Sequence, residues 1–176
     1  MKIKFIKNYY LKKAIFQQIK EREMHHRTME YKTVAVLVNV EEFEKKDAFF
    51  SLVESLGILN KDLKIVCYSE SESKVPMFEQ NIFSSKDFSW KGDFNNPAIE
   101  EFYQREYDIF IGYYNKSNQF LDFVASKVSA TLKIGFDKPD AELFDIIFRM
   151  ELKNYSVFEK ELVKYINIFK KNKEKR

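Results

Sequence analysis

The sequence predicts a three-layer α/β protein: a mostly parallel sheet of about five or six strands, helices on both faces and an added N-terminal helix. Three observations predict it. Residues 107–136, YDIFIGYYNKSNQFLDFVASKVSATLKIGF, read as strand, polar turn, helix and strand, one complete parallel unit. Residues 33–40, TVAVLVNV, are a near-continuous β-branched run, as in strands buried on both faces. Apolar runs of strand length alternate with stretches of helical periodicity along the chain. Connection rules then favour the doubly wound, Rossmann-like order, with its reversal between the first strand and the strand at 107–113.

The elements follow in order. Residues 8–29 are the added helix, with Leu11, Ala14, Ile15, Gln18 and Ile19 on one stripe. The stripe is narrow, so the helix is expected to lie on the body rather than inside it. Strand 33–40 comes next, then helix 43–56, whose apolar face is Phe43, Phe49, Phe50, Leu52, Val53 and Leu56. Gly57 is placed to cap it. Leu63 to Ser69 is the second strand, closed by the polar loop 69–74 and by Pro76. One short strand is expected between 77 and 96. Trp90-Lys91-Gly92-Asp93-Phe94 in that stretch reads as an aromatic anchor pinning a loop onto the core, with ligand stacking as the alternative. Asn96 and Pro97 are the N-cap and first residue of a helix that runs to about Glu106. Strand 107–113, helix 117–128 and strand 130–136 follow, then a turn at 137–140. Residues 141–150 read as a sixth strand because Phe144, Ile146, Ile147 and Phe148 favour β structure. Ser156 opens the last helix, with Glu159 in capping-box position and a stripe of Phe158, Leu162, Val163, Tyr165, Ile166 and Phe169. The expected organisation is a basic N-terminal helix over 1–32, one Rossmann-like domain over 33–172 and a frayed basic tail over 173–176.

Composition narrows the function. The 176 residues suit one domain whose core needs no staples. The single cysteine, Cys67, sits in an apolar run, so no disulfide framework is expected and a reducing cytoplasmic compartment is the natural setting. Lys12, Lys13, Gln17 and Gln18 interrupt the basic start MKIKFIK, which therefore does not read as a secretory signal. No apolar run reaches membrane-spanning length. The net charge of +3 hides an asymmetry: residues 1–32 carry +6, residues 160–176 carry +5, and the body between them carries −8. Solvated helices near an acidic body account for this pattern; contact with nucleic acid or a membrane surface through the basic ends is disfavoured.

In open α/β sheets, ligands bind beyond the carboxyl ends of the strands at the switch point. Those tips carry Asn39, Glu41 and Glu42 after strand one, Tyr113 to Ser117 after the strand at 107–113, and Phe136, Asp137 and Lys138 after the next. Ser117 is the expected N-cap of helix 117–128, which would leave N–H groups free for an anion. The candidate ligand cleft is therefore Asn39, Glu41, Tyr114, Asn115, Lys116, Ser117 and Asp137. No strand-to-helix turn supplies a phosphate-binding glycine. The turn after strand one instead holds two carboxylates where a pyrophosphate would sit, so no nucleotide cofactor is expected. His25 and His26 are the only histidines. On a helix, adjacent residues point about 100° apart and cannot share one metal, so no metal site is expected. Without another histidine no Ser-His-Asp arrangement forms, and Cys67 reads as a buried core thiol. Acidic residues are plentiful, but their spacing selects no catalytic pair.

Two resemblances add to this. The VAVLV strand, the unit at 107–136 and its closing Ile134-Gly135-Phe136 resemble the N-terminal Rossmann-like half of heptosyltransferase-type glycosyltransferases. The resemblance implies that half's fold. It carries over no catalytic residue, because this chain stops where that family's sugar-nucleotide-binding half would begin. Over most of its length the chain is similar to a family of small bacterial proteins of unknown function, in size, basic N-terminal helix and the strands Asp108-Ile109-Phe110-Ile111-Gly112 and Ile134-Gly135-Phe136. That resemblance implies a fold and no activity. The expected function is a non-catalytic α/β protein acting through protein binding. The alternatives are a nucleotide or sugar binder or enzyme using the strand tips, and peripheral nucleic-acid or membrane association through the termini. No oligomeric state can be read from the sequence.

Overall fold

The computed structural model of the protein describes residues 11–15, 17, 31–71, 81–91, 93–139 and 141–171. Six strands form one sheet: β1 (Val34–Asn39), β2 (Leu63–Tyr68), β3 (Ile82–Phe83), β4 (Glu106–Tyr113), β5 (Ser129–Phe136) and β6 (Ile146–Phe148). Their order is β3-β2-β1-β4-β5-β6 and every pairing is parallel. The expected three-layer, doubly wound fold is present, and its order reverses between β1 and β4 as predicted. β1 is buried along its whole length because both its faces are covered. Val34, Val36 and Val38 point to one face, where α1 (Ala48–Ser55) and α4 (Tyr155–Lys171) bring Phe49, Leu52, Phe158, Leu162 and Ile166. Ala35 and Leu37 point to the other, where α2 (Pro97–Gln104) and α3 (Gln119–Lys127) bring Ile99, Phe102, Leu121 and Val124.

Residues 11–15 and 17 are helical, and Leu11 and Ile15 are buried in the second of these cores. This part of the expected N-terminal helix is a core element rather than a surface addition. The remainder of that expectation, with His25 and His26, lies outside the described residues, as do residues 72–74 of the polar loop and Pro76.

Several boundaries differ from expectation for physical reasons. α1 begins at Ala48 rather than residue 43. The N–H groups of Glu42 and Phe43 both donate to the carbonyl of Asn39, at 3.0 and 2.9 Å, which folds the chain into a turn instead. Phe43 is still a core residue: its ring stacks on Tyr155 at 5.4 Å and meets Tyr113 at 4.7 Å. α1 ends as expected at Gly57, which sits at φ +74°. Gly57 N–H donates to Glu54 and Ile58 N–H to Val53, a Schellman closure. α2 starts as expected, with the Asn96 side chain accepting from Ile99 N–H and Pro97 in first position. The sixth strand is only Ile146–Phe148, because Ala141–Leu143 form a 3-10 turn and Leu143 and Phe144 turn into the second core. α4 opens at Tyr155 after a 3-10 turn at Leu152–Asn154. Ser156 is thus inside the helix, and Glu159 accepts from Ser51 Oγ at 3.0 Å.

Trp90 does not anchor its loop. Phe88 and Phe94 do: both are buried, they form a bridge, and their rings lie 4.7 Å apart. Trp90 stands 55% exposed at the tip.

Candidate functional site at the strand tips

The carboxyl ends of β1 and β4 lie side by side, as the strand order requires. Asn39 ends β1 and is buried; its Oδ1 accepts from Glu41 N–H at 3.1 Å and its Nδ2 donates to Glu42 Oε1 at 2.9 Å. Held that way, the Glu42 carboxylate reaches across to the turn after β4. It accepts there from Asn115 N–H and Lys116 N–H, each at 3.3 Å. The two backbone donors that could face an anion in the cleft are therefore taken by a carboxylate of the chain itself. Glu41 turns the other way, to β2: its Oε1 accepts from Ser69 Oγ at 2.8 Å and Ser71 N–H at 3.3 Å.

The two tyrosines that end β4 leave the cleft in opposite directions. Tyr113 points into the first core and donates to the Leu152 carbonyl at 2.7 Å; burial pushes its phenol well above the ordinary value. Tyr114 points into the second core and donates to Asp122 Oδ1 at 2.9 Å. Asn115 is half-buried, and its Nδ2 donates to the Met150 carbonyl at 3.3 Å. Its Oδ1 is buried without a hydrogen-bond partner. Lys116, Ser117 and Asp137 are exposed.

Ser117 is not the cap of α3. Asn118 is, and its side chain accepts from Phe120 N–H at 3.0 Å and Leu121 N–H at 3.4 Å. The doublet Ser117-Asn118 offers two capping side chains in succession, and the structure uses the second.

Of the predicted cleft residues, then, Asn39 and Asn115 meet through Glu42, with the Lys116 backbone joining them. Tyr114 is a core residue, Glu41 serves the β2 tip, and Ser117 and Asp137 stand in solvent. Glu42 is the residue that joins the tips. Its signal in the sequence was only its place three residues after Asn39, since its other partners lie 73 and 74 residues away.

Among the described residues, no group of three or more His, Cys, Asp or Glu side chains is arranged to hold a metal. Cys67 is buried, and burial pushes its thiol upward, away from reactivity. The buried Lys133 lies on β5, its Nζ donating to the Ala125 carbonyl at 2.8 Å and lying 5.7 Å from the Phe110 ring centre. A cavity of about 130 Å³ opens at the other end of the sheet, lined by Lys64, Asn81, Glu101, Arg105 and Tyr107 among others. It is smaller than the ~300–1,000 Å³ usual for small-molecule sites. Among the described residues, no helix is long and apolar enough to cross a membrane.

The fold and these tips define a doubly wound, parallel α/β protein whose β1 and β4 tips are bridged by Glu42. Over residues 7–169 the chain matches DUF6913, a family of unknown function, and it belongs to that family. No curated protein and no solved structure matches it.

Proposed function

We propose that this is a non-catalytic protein that works by binding another protein, with the Trp90 loop as its contact. The observation that carries this reading is the presentation of Trp90. Trp is enriched among the residues that dominate binding energy, and this one is more than half exposed at a loop tip. The loop beneath is braced. Ser89 N–H donates to the Asp93 carbonyl at 2.7 Å, and Ser89 Oγ accepts from Lys91 and Asp93 N–H at 3.2 and 3.1 Å. Lys91 Nζ lies 5.1 Å from the Trp90 ring centre. Asn96 Nδ2 ties the base of the loop to Asp87 Oδ1 at 3.0 Å. A ring carried on a braced loop spares the loop's ordering cost on docking, which favours affinity.

A second reading, a small ligand at the strand tips, is favoured by one atom, the unpartnered Oδ1 of Asn115. A hydroxyl or amine would satisfy it. One experiment separates the two. The full chain, wild type and Trp90→Ala, is used to capture partners from its own lysate, and the same preparations are heated with a panel of nucleotides and sugars. The protein-binding reading expects a captured protein that Trp90→Ala retains about tenfold or more weakly, and no ligand that raises the melting temperature. Equal capture by both forms, or a sugar or nucleotide that stabilises both, overturns it.

A further inference from the structure

α4 carries two faces that want cover. Phe158, Leu162 and Ile166 recur at four-residue spacing and are fully buried against the sheet. On the opposite side Val157, Glu161, Lys164 and Ile168 follow at spacings of four, three and four, the seam pattern of paired helices. Val157 is 51% and Ile168 42% exposed, and Glu161 and Lys164 form only a solvent-exposed pair at 3.4 Å. Val157 and Ile168 leave apolar surface uncovered at either end of this outer side, with the charged pair between them.

The order of the seam says which partner. Val-Glu-Lys-Ile has its midpoint between Leu162 and Val163. An antiparallel copy of the helix about that midpoint sets Val157 on Ile168 of a second copy, and Glu161 on its Lys164. The two-fold relation makes each contact twice, as in any isologous interface. Parallel pairing would instead set Glu161 on Glu161 and Lys164 on Lys164, which like-charge repulsion disfavours. We infer that this face of α4 pairs with the same face of a second copy of this chain, antiparallel, to form a two-fold homodimer.

Neighbouring features extend the surface. Tyr165 is 40% exposed on the flank of the seam and meets Phe148 of β6 at 6.3 Å between ring centres. β6 is an outer strand of the sheet, and Ile147 on it is exposed too. The homodimer is independent of the Trp90 reading, since Trp90 lies on a loop of the β3 half of the sheet and α4 flanks β6.

Sedimentation velocity on the full chain tests this with four samples: wild type, Glu161→Lys, Lys164→Glu, and an equimolar mixture of the two variants. Lys164 is exposed and Glu161 half-buried, and circular dichroism checks the folds. The wild type is expected to dimerise in a concentration-dependent way. Each variant alone is expected to associate about tenfold or more weakly, because both symmetry-related pairs become like-charged. The mixture is expected to recover wild-type association, because both symmetry-related pairs between a Glu161→Lys chain and a Lys164→Glu chain are again of opposite charge. A wild type that stays monomeric at every concentration overturns the inference, as do variants that dimerise as tightly as wild type. A mixture that fails to recover overturns it as well.

Discussion

The ring of Phe144 lies across two adjacent strands at the places where side chains are missing. A Cβ built on Gly135 would come within 2.6 Å of the ring, and one on Gly112 within 2.8 Å. These glycines neighbour each other because Ile111 pairs with Ile134 in the register of β4 and β5. The strand motifs Ile-Gly and Ile-Gly-Phe are thus a seat for one aromatic ring, and Asp108 earlier in β4 is a clasp. Its Oδ2 accepts from Lys32 N–H, Thr33 N–H and Thr33 Oγ1 at 2.8 to 2.9 Å, fixing the entry to β1. Gly135→Ala is expected to cost about 1–3 kcal/mol through overpacking. In a Phe144→Ala background the added cost should shrink, because the Cγ and both Cδ atoms that the new methyl collides with are gone. Urea denaturation of the four forms measures the coupling. A Gly135→Ala penalty of the same size in both backgrounds would reject the seat. The glycines stood out in the sequence. Their purpose did not, because Phe144 read as part of a strand and its turn toward the second core depends on the 3-10 step at Ala141–Leu143.

At the scale of elements, patterns that depend on neighbours in sequence were legible, and patterns that depend on distant partners were not. The buried run of β1, the Asn96-Pro97 start of α2 and the Gly57 stop of α1 are local signals with local causes. The start of α1 was misplaced because Phe43 fits a helical stripe by spacing, yet it packs from a turn set by Asn39. Trp90 was misread because size and apolarity suggest burial while Phe88 and Phe94 already fill the site. Glu42 as the bolt across the cleft is invisible without the pairing of β1 with β4. The start of α3 gives the sharpest element-level test. Asn118→Ala removes the acceptor for Phe120 and Leu121 N–H and should cost about 1 kcal/mol. Ser117→Ala, one residue earlier and exposed, should stay within ~0.5 kcal/mol of wild type. Thermal or urea unfolding decides between them, and the reverse ranking would restore Ser117 as the cap.

Across the whole molecule, the phenols of buried tyrosines tie its stability to pH. Tyr68 and Tyr107 belong to the second core and Tyr113 to the first, against which Tyr155 also packs. Burial pushes the Tyr107 phenol up to about 12 and the Tyr113 phenol further. Burial, then the Glu70 carboxylate it donates to, raises Tyr68; burial, then nearby Glu159, raises Tyr155. Unfolded, each returns to an ordinary value of 10.0. Above that pH the unfolded chain releases protons that the folded one still holds, so the unfolded state binds fewer protons and unfolding becomes easier as pH rises. The stability contributed by these groups is fully present below pH 10 and drains away through the native range at about 12 and beyond. Because the four phenols span both faces of one sheet, neither face should ionise while the other stays folded. Denaturant midpoints are therefore expected to fall steadily as pH is raised from 10. The late part of the tyrosinate absorbance should rise in the same transition as the loss of far-ultraviolet dichroism. All ten tyrosines ionising in a single wave near pH 10, with the dichroism intact, would show that these phenols are not buried in the folded state.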